Sequence, residues 1–430
     1  VPKKQSRRDA ASVETAQAKR SDAMTASGGR QASPAKPVYQ SALKVGLVVL
    51  VVGLSVACVQ YKVPTIMTAI APRFHLSTDA SSWLMSIFTL AGIFFALPAG
   101  GMAQRFGFKK VMLCSSALIV AGSVIGLLAG GNGVVLIASR AVEGISLTII
   151  TTCAPIAIQR CVNPDRIGLA TGLWGCWGSG GAVIASVLTP QIFASAGFEG
   201  VWIVFAVFAA FAALLLLLFV REPSRAIEAA ASEQSAARVP RYSELATKNV
   251  ALFLISFVVL NLLMLALLGM LPSVLMLPEK GFSREMAGFA STFASLLALV
   301  STPLFGLLAD KIGRVKPLLV FTLTMLGPCL FLMYTQTGML FWVGAAALGL
   351  LGFGSIGLSI AAWMQIIPRP ELVPKGMGVL TLVQSVGQFL GTFLVQILLG
   401  PTFENWFFAG IVLMVVGLLG AGAAAMVRFR

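Results

Sequence analysis

Three ionisable residues stand inside long apolar runs: Lys62, Arg140 and Glu143. A charge inside hydrocarbon costs roughly 2.5–3.5 kcal/mol on insertion scales, so each one needs a physical reason to be there. Lys62 falls ~14 Å below the outer end of its run, and Arg140 and Glu143 ~10–16 Å below the outer end of theirs, at 1.5 Å per helical residue. That lets all three share one depth. Glu143 is expected to pair with one cation at a time, so Lys62 and Arg140 together leave a positive charge to meet an anion, with Glu143 as proton carrier. The alternative is a structural ion pair of Arg140 with Glu143, Lys62 snorkelling to the outer interface.

Uncharged polar residues interrupt the apolar runs as well: Gln60, Tyr61, Asn261, Gln365, Gln384 and Gln388. Lipid cannot satisfy a side-chain amide, so each must face protein, water or a solute. Gln384 and Gln388 are one helical turn apart and share a face. Interhelical hydrogen bonding accounts for these residues as well as solute contact does. The chain has six cysteines, placed singly with no C-x-x-C pair, and one histidine, His75. Neither a metal site nor a disulfide framework follows from that pattern, and no cofactor is expected. No P-loop, H-E-x-x-H or G-x-S-x-G stretch occurs, which argues against an enzyme and against a nucleotide-driven pump.

The elements that must hold these residues are membrane helices. Of 430 residues 57% are hydrophobic and 11% charged, with mean hydropathy +0.91. A chain this apolar reads as an all-α polytopic membrane protein. From Leu43 onward twelve apolar segments are each long enough to cross ~30 Å of hydrocarbon, among them Leu43–Ala71, Gly133–Arg160, Ile167–Ala196, Gly200–Val220, Asn249–Leu277 and Gly338–Ile367. Residues 1–40 read as a disordered basic tail, too long and too far from an apolar core to be a cleaved signal. Residues 41–220 and 249–430 each read as a six-helix bundle, with 221–248 as a polar linker. Pro64, Pro155 and Pro303 interrupt helices, each freeing a backbone carbonyl and allowing a bend.

The formal net charge of +15 could suggest nucleic acid, but the basic residues lie in loops. Of the 31 Lys and Arg, only Lys62 and Arg140 fall in the interior of spans rather than at their ends, and only Arg73, Lys280 and Arg284 in loops of the opposite side. The rest lie in the tail, the loops after even-numbered spans, the linker and the C-terminus. By the positive-inside bias both termini are cytoplasmic, as in a plasma or inner membrane protein. No nucleic-acid partner is needed, and a monomer in the bilayer is expected.

The chain also repeats itself. Gly100–Lys110 reads G-G-M-A-Q-R-F-G-F-K-K and Gly306–Lys316 reads G-L-L-A-D-K-I-G-R-V-K, with Gly306 following Gly100 by 206 positions. The same offset relates Pro164–Asp165 to Pro370–Glu371, Gly172 to Gly378 and Gly181 to Gly387. A shared offset over separate stretches marks two structural halves. The motif G-x-x-x-D-[RK]-x-G-[RK] after the second and eighth spans resembles that of the major facilitator superfamily. The second copy carries Gly306, Asp310, Lys311, Gly313 and Arg314; the first carries Gly100, Arg105, Gly107 and Lys109, with Gln104 in place of the Asp and Phe108 in place of a basic residue.

That resemblance implies twelve helices in two pseudo-symmetric bundles, with helices one, four, seven and ten lining a central cavity. The two basic turns would then be conformational latches, the first weakened by its neutral Gln104. Leu136–Gly144 is similar to the family's fourth-helix motif, which gives Arg140 a conformational or proton-coupling role. The run Gly172–Gly181 is similar to the Gly-rich fifth-helix signature of antiporters, without its Gly-Pro step, and its G-L-W to cyanate-transporter-like members; close helix packing explains the same glycines. The expected function is a secondary transporter moving a small anion or organic acid by alternating access, coupled to protons or another ion. The alternatives are efflux of amphipathic compounds, and a non-transporting sensor or scaffold whose basic tail binds anionic lipid.

Overall fold

The structure, a computed structural model, describes residues 39–222, 241–266, 271–313, 315–399 and 404–429, and every regular element among them is helical. α1 is Ala42–Arg73, α2 Thr78–Phe106, α3 Phe108–Leu127 and α4 Gly133–Cys161. α5 comprises Ile167–Gly175 and, after a turn at Cys176, residues 177–196; α6 takes 198–219. Trp177–Phe219 is one helical run broken only at Gly197, whose φ of +66° suits glycine alone. α7 is Lys248–Leu265 with a short continuation at Leu271–Leu275, α8 is Arg284–Ile312 and α9 is Val315–Thr335. α10 joins Gly338–Ala347 to Gly354–Ile366, α11 is Val373–Leu399 and α12 is Trp406–Met426. Most of the tail, most of the linker and Arg314 lie outside the described residues, as does the side chain of Asp310.

The helices cross a membrane because length and composition leave no other solvent for them. Among the described residues ten helical stretches qualify on those grounds, one of them holding both α5 and α6. α11, at 27 residues, also exceeds ~30 Å of hydrocarbon. Bulky side chains such as Phe94, Val134, Met339 and Leu419 project outward, exposed by more than two-thirds, as a lipid-facing surface allows. Polar caps set the helix starts: Ser77, Asn132, Thr247 and Ser283 accept from backbone N–H groups of the first turn.

The seventh span, read as Asn249–Leu277, is helical over Lys248–Leu265 and again over Leu271–Leu275, with 267–270 outside the described residues, and the tenth carries a wider turn over Leu348–Gly352 within one helical run. The glycines of Gly349, Gly352 and Gly354 remove the side chains that would hold a regular helix there. The predicted bend near Pro64 is present as a non-helical residue at Ile66, between Pro64 and Pro72.

The first six helices meet the last six along two seams, α2 against α11 and α5 against α8. Both seams are built on glycine. A Cβ placed on Gly100 would lie 2.4 Å from the Pro374 carbonyl oxygen, and one on Gly306 2.4 Å from that of Gly168. Pro374 and Gly168 are themselves related by the 206-residue offset, so the repeat in sequence appears as a repeated contact in space. Both seams lie at the end of the molecule that carries the basic turns and the chain ends. There the Gln40 side chain bonds Arg221 and its N–H donates to Cys161, while Asn249 bonds Arg428.

Candidate functional site

A cavity of ≈ 770 Å³, counting space open to solvent, lies between the two sets of helices. The first set contributes Tyr61 from α1, Thr151 and Pro155 from α4, and Trp174, Trp177 and Ser179 from α5. The second contributes Phe257, Asn261 and Met264 from α7, Phe353 and Ile360 from α10, and Thr381, Gln384 and Gln388 from α11. Helices one, four, seven and ten thus line it as the resemblance implied, joined by α5 and α11. Trp174 and Trp177 stack with ring centroids 5.7 Å apart and planes 18° off parallel. Asn261 donates from Nδ2 to the Phe257 carbonyl at 2.8 Å, leaving its own oxygen free to accept. Among the described residues the Gln384 amide has no hydrogen-bond partner.

The three buried charges do not face this cavity. Tyr61 points into it; Lys62, the next residue and about 100° further round the helix, points back into the first six helices. Lys62 Nζ donates to Glu143 Oε1 at 2.8 Å, and Arg140 Nη1 donates to Glu143 Oε2. Ser123 Oγ on α3 also donates to Oε1, at 2.9 Å. The expectation that Glu143 holds one cation at a time is therefore corrected: each carboxylate oxygen takes one. Snorkelling by Lys62 is excluded too, since its side chain is wholly buried.

Local structure explains the arrangement. Pro64 has no N–H, so the carbonyl of Gln60 four residues earlier has no helical donor, and Arg140 Nη2 donates to it at 3.3 Å. Arg140 Nη1 also reaches the Val59 carbonyl at 2.9 Å. The surplus positive charge is met by aromatic faces, Lys62 Nζ lying 4.1 Å from the Trp202 centroid and Arg140 Cζ 4.3 Å from that of Phe88. Gly122 makes room, since a Cβ there would lie 2.7 Å from Glu143 Cγ. Pro303 repeats the device across the α5–α8 seam, where its orphaned partner, the Leu299 carbonyl, accepts from Cys176 Sγ at 3.6 Å.

The remaining candidates divide. Asn261, Gln384, Gln388 and Tyr61 line the cavity, but Gln365 is exposed on α10 outside it. Gln60 acts through its carbonyl, and its side chain is not part of the lining. In the basic turns Gly107 takes a φ of +91° and Gly313 one of +66°. Lys109 Nζ donates to the Leu217 carbonyl at the end of α6, and Lys316 Nζ to the Val427 carbonyl at the end of α12. Such lysines neutralise the negative ends of helices. Arg105 lies over the Phe106 ring and Lys311 is exposed.

One residue that sequence reading passed over belongs here. The Glu222 carboxylate lies against Gly107, close enough that a Cβ there would be 2.3 Å from Oε1. It places a negative charge at the first turn of α3, whose dipole end is positive, in the turn where Gln104 had removed one. Its signal was only R-E-P after an apolar run, which has no helical register to place it.

The model of the Major Facilitator Superfamily matches residues 45–392 and 252–430. The chain belongs to this superfamily. Solved structures agree on the fold: a structure of the human organic anion transporter MFSD10 superposes with TM-score 0.72 at 15% identity, covering 90% of this chain and 100% of that one. Among curated superfamily members, an uncharacterized MFS-type transporter of Mycobacterium tuberculosis is 30% identical over 142 residues, 33% of this chain and 23% of that protein. The facilitated glucose transporter member 10 of Danio rerio is 29% identical over 125 residues, 29% of this chain and 23% of that protein. The matches thus span about a quarter of the length of these relatives. The twelve-helix architecture in two pseudo-symmetric bundles is that of the superfamily.

Proposed function

We propose that this chain is a secondary transporter that carries a small solute through the cavity by alternating access. The supporting observation is the position of the cavity, between two repeat-related sets of helices whose glycine seams close it at the end bearing the chain termini. Rocking one set against the other about those seams would expose the cavity to each side in turn. Domain boundaries near residues 41–220 and 249–430 fit the two sets, and the basic excess at the terminal end supports a cytoplasmic location for it.

In this reading the Lys62–Glu143–Arg140 cluster is the conformational or proton-coupling element, because it ties α1, α3 and α4 together behind the cavity wall. Binding of an anion by Lys62 and Arg140 has lost its support, since both are buried and turned away from the cavity. The names of the relatives mention glucose and organic anions, and so do not choose a substrate.

Spin labels at exposed Phe106 and Lys311, on the ends of α2 and α8, test the motion in the full chain with its native cysteines replaced. Two distance populations are expected, shifting with pH or with added solute. A single narrow distance under all conditions would remove alternating access.

A further inference from the structure

We propose that the cavity takes an uncharged, amphipathic, ring-bearing solute. Its flat apolar face would lie on the indoles of α5, and its one hydrogen-bonding edge would face the amides of α7 and α11. This deepens the transporter reading and rests on the cavity being the solute site.

Charge decides the first part. Among the described residues lining the cavity there is no Lys, Arg, His, Asp or Glu. An organic anion entering it would shed water without gaining a counter-charge, and a simple cation would do the same. The nearest fixed charges are already committed to one another and to aromatic rings inside the first six helices.

Shape and hydrogen-bond supply decide the second part. The near-parallel pair Trp174 and Trp177 lines the wall of the first set of helices, and Phe257 and Phe353 are the aromatic residues of the second. The opposite wall carries the amides. Asn261 has given one of its two N–H groups to Phe257 and keeps its oxygen and one N–H, while Gln384 offers both a donor and an acceptor to whatever enters. Thr151 and Ser179 have already given their protons to backbone carbonyls. A hexose has hydroxyls around its whole rim, and those turned toward Leu260, Met264, Ile356 and Ile360 would be left unmatched. A ring with one amide-like or hydroxyl edge matches both walls.

The test uses the full chain in nanodiscs and in proteoliposomes, with four probes of distinct chemistry: chloramphenicol, glucose, salicylate and tetraphenylphosphonium. Chloramphenicol is expected to bind saturably and to move across the bilayer faster than in protein-free vesicles. Gln384→Ala should weaken its binding about fivefold, the value of one hydrogen bond. Trp177→Ala should weaken it further, and Trp177→Phe, which keeps a ring and so guards against misfolding, should restore part of it. Tighter binding of glucose, salicylate or tetraphenylphosphonium that also falls in Gln384→Ala would overturn the class. So would the absence of saturable binding by all four. Protein-dependent movement of any of the four keeps the transporter reading even if the class fails. Chloramphenicol bound at Gln384 but never carried across would leave the class standing and remove transport.

Discussion

Glu143 shows how one carboxylate can make two buried cations tolerable. Its two oxygens are divided between Lys62 and Arg140, and the rest of the coordination comes from Ser123, the carbonyls of Val59 and Gln60, of which Pro64 frees the second, and two rings. Removing the carboxylate leaves both cations unpaired in a dry interior. Glu143→Gln is expected to destabilise the fold by ~3–5 kcal/mol, read as a lower melting temperature in detergent. Substituting all three members with apolar residues of similar volume should cost much less than the single change, because no charge is then orphaned. That these three residues belong together was legible, since an ionisable group in hydrocarbon has to find a partner. Their direction was not. α1 is apolar nearly all round and the polar residues of α4 fall on several faces, so no periodic stripe tells which face Lys62 or Arg140 occupies, and the reading that aimed them at a solute had no register to correct it. Gly100 and Gly306 are the other residue-scale test. Alanine at either pushes a methyl into a backbone carbonyl that cannot swing aside, so each variant should loosen the seam and raise cysteine-probe access to the partly buried Leu97→Cys or Leu169→Cys from the terminal side.

Short polar elements connect the helices at both ends. On the terminal side a single helical turn, Tyr242–Leu245, bridges the two sets. Tyr242 Oη donates to the Leu97 carbonyl on α2 at 3.2 Å, Lys375 of α11 lies over its ring, and Glu244 pairs with Arg369. Tyr242→Phe keeps the ring and loses only the cross-set bond, so it should favour the state open to that side, seen as a longer distance between labels on α2 and α11. On the opposite side Lys280 donates to the Tyr334 and Thr335 carbonyls at the end of α9 and lies 3.4 Å from the Trp406 centroid, while Trp406 Nε1 donates to Glu279. Burial lowers the Lys280 pKa to about 8, against the opposing pull of Glu279. The folded state therefore releases this proton before the unfolded chain does, and its contribution to stability rises between about pH 8 and the ordinary lysine value of 10.5. The melting-temperature difference between the natural chain and Lys280→Met should shift in favour of the natural chain across that window. Span positions were readable from hydropathy, whereas the wider turn in α10 was not. It depends on packing and on glycines inside an apolar run that looks continuous to composition.

At the scale of the whole molecule, one offset in the sequence corresponds to one pseudo-two-fold relation in space. Matching carbonyls, Pro374 and Gly168, face matching glycines at the same 2.4 Å to an added Cβ. With twelve crossings the described ends, near Gln40 and Arg428, come out together, and labelling of single cysteines placed at Tyr39 and Phe429 should find both on one face of the bilayer. Reaction from opposite faces would rule out this topology.

The buried cluster also bears on voltage. Two cations and one anion leave one net positive charge held inside the hydrocarbon, and the membrane field acts on it at about 2.3 kcal/mol per elementary charge per 100 mV of potential fully traversed. An uncharged passenger moving through a cavity without ions carries no current of its own. With the uncharged passenger proposed above, displacement of this cluster would appear as a transient current that reverses on return, and a proton passed along it as a steady flow.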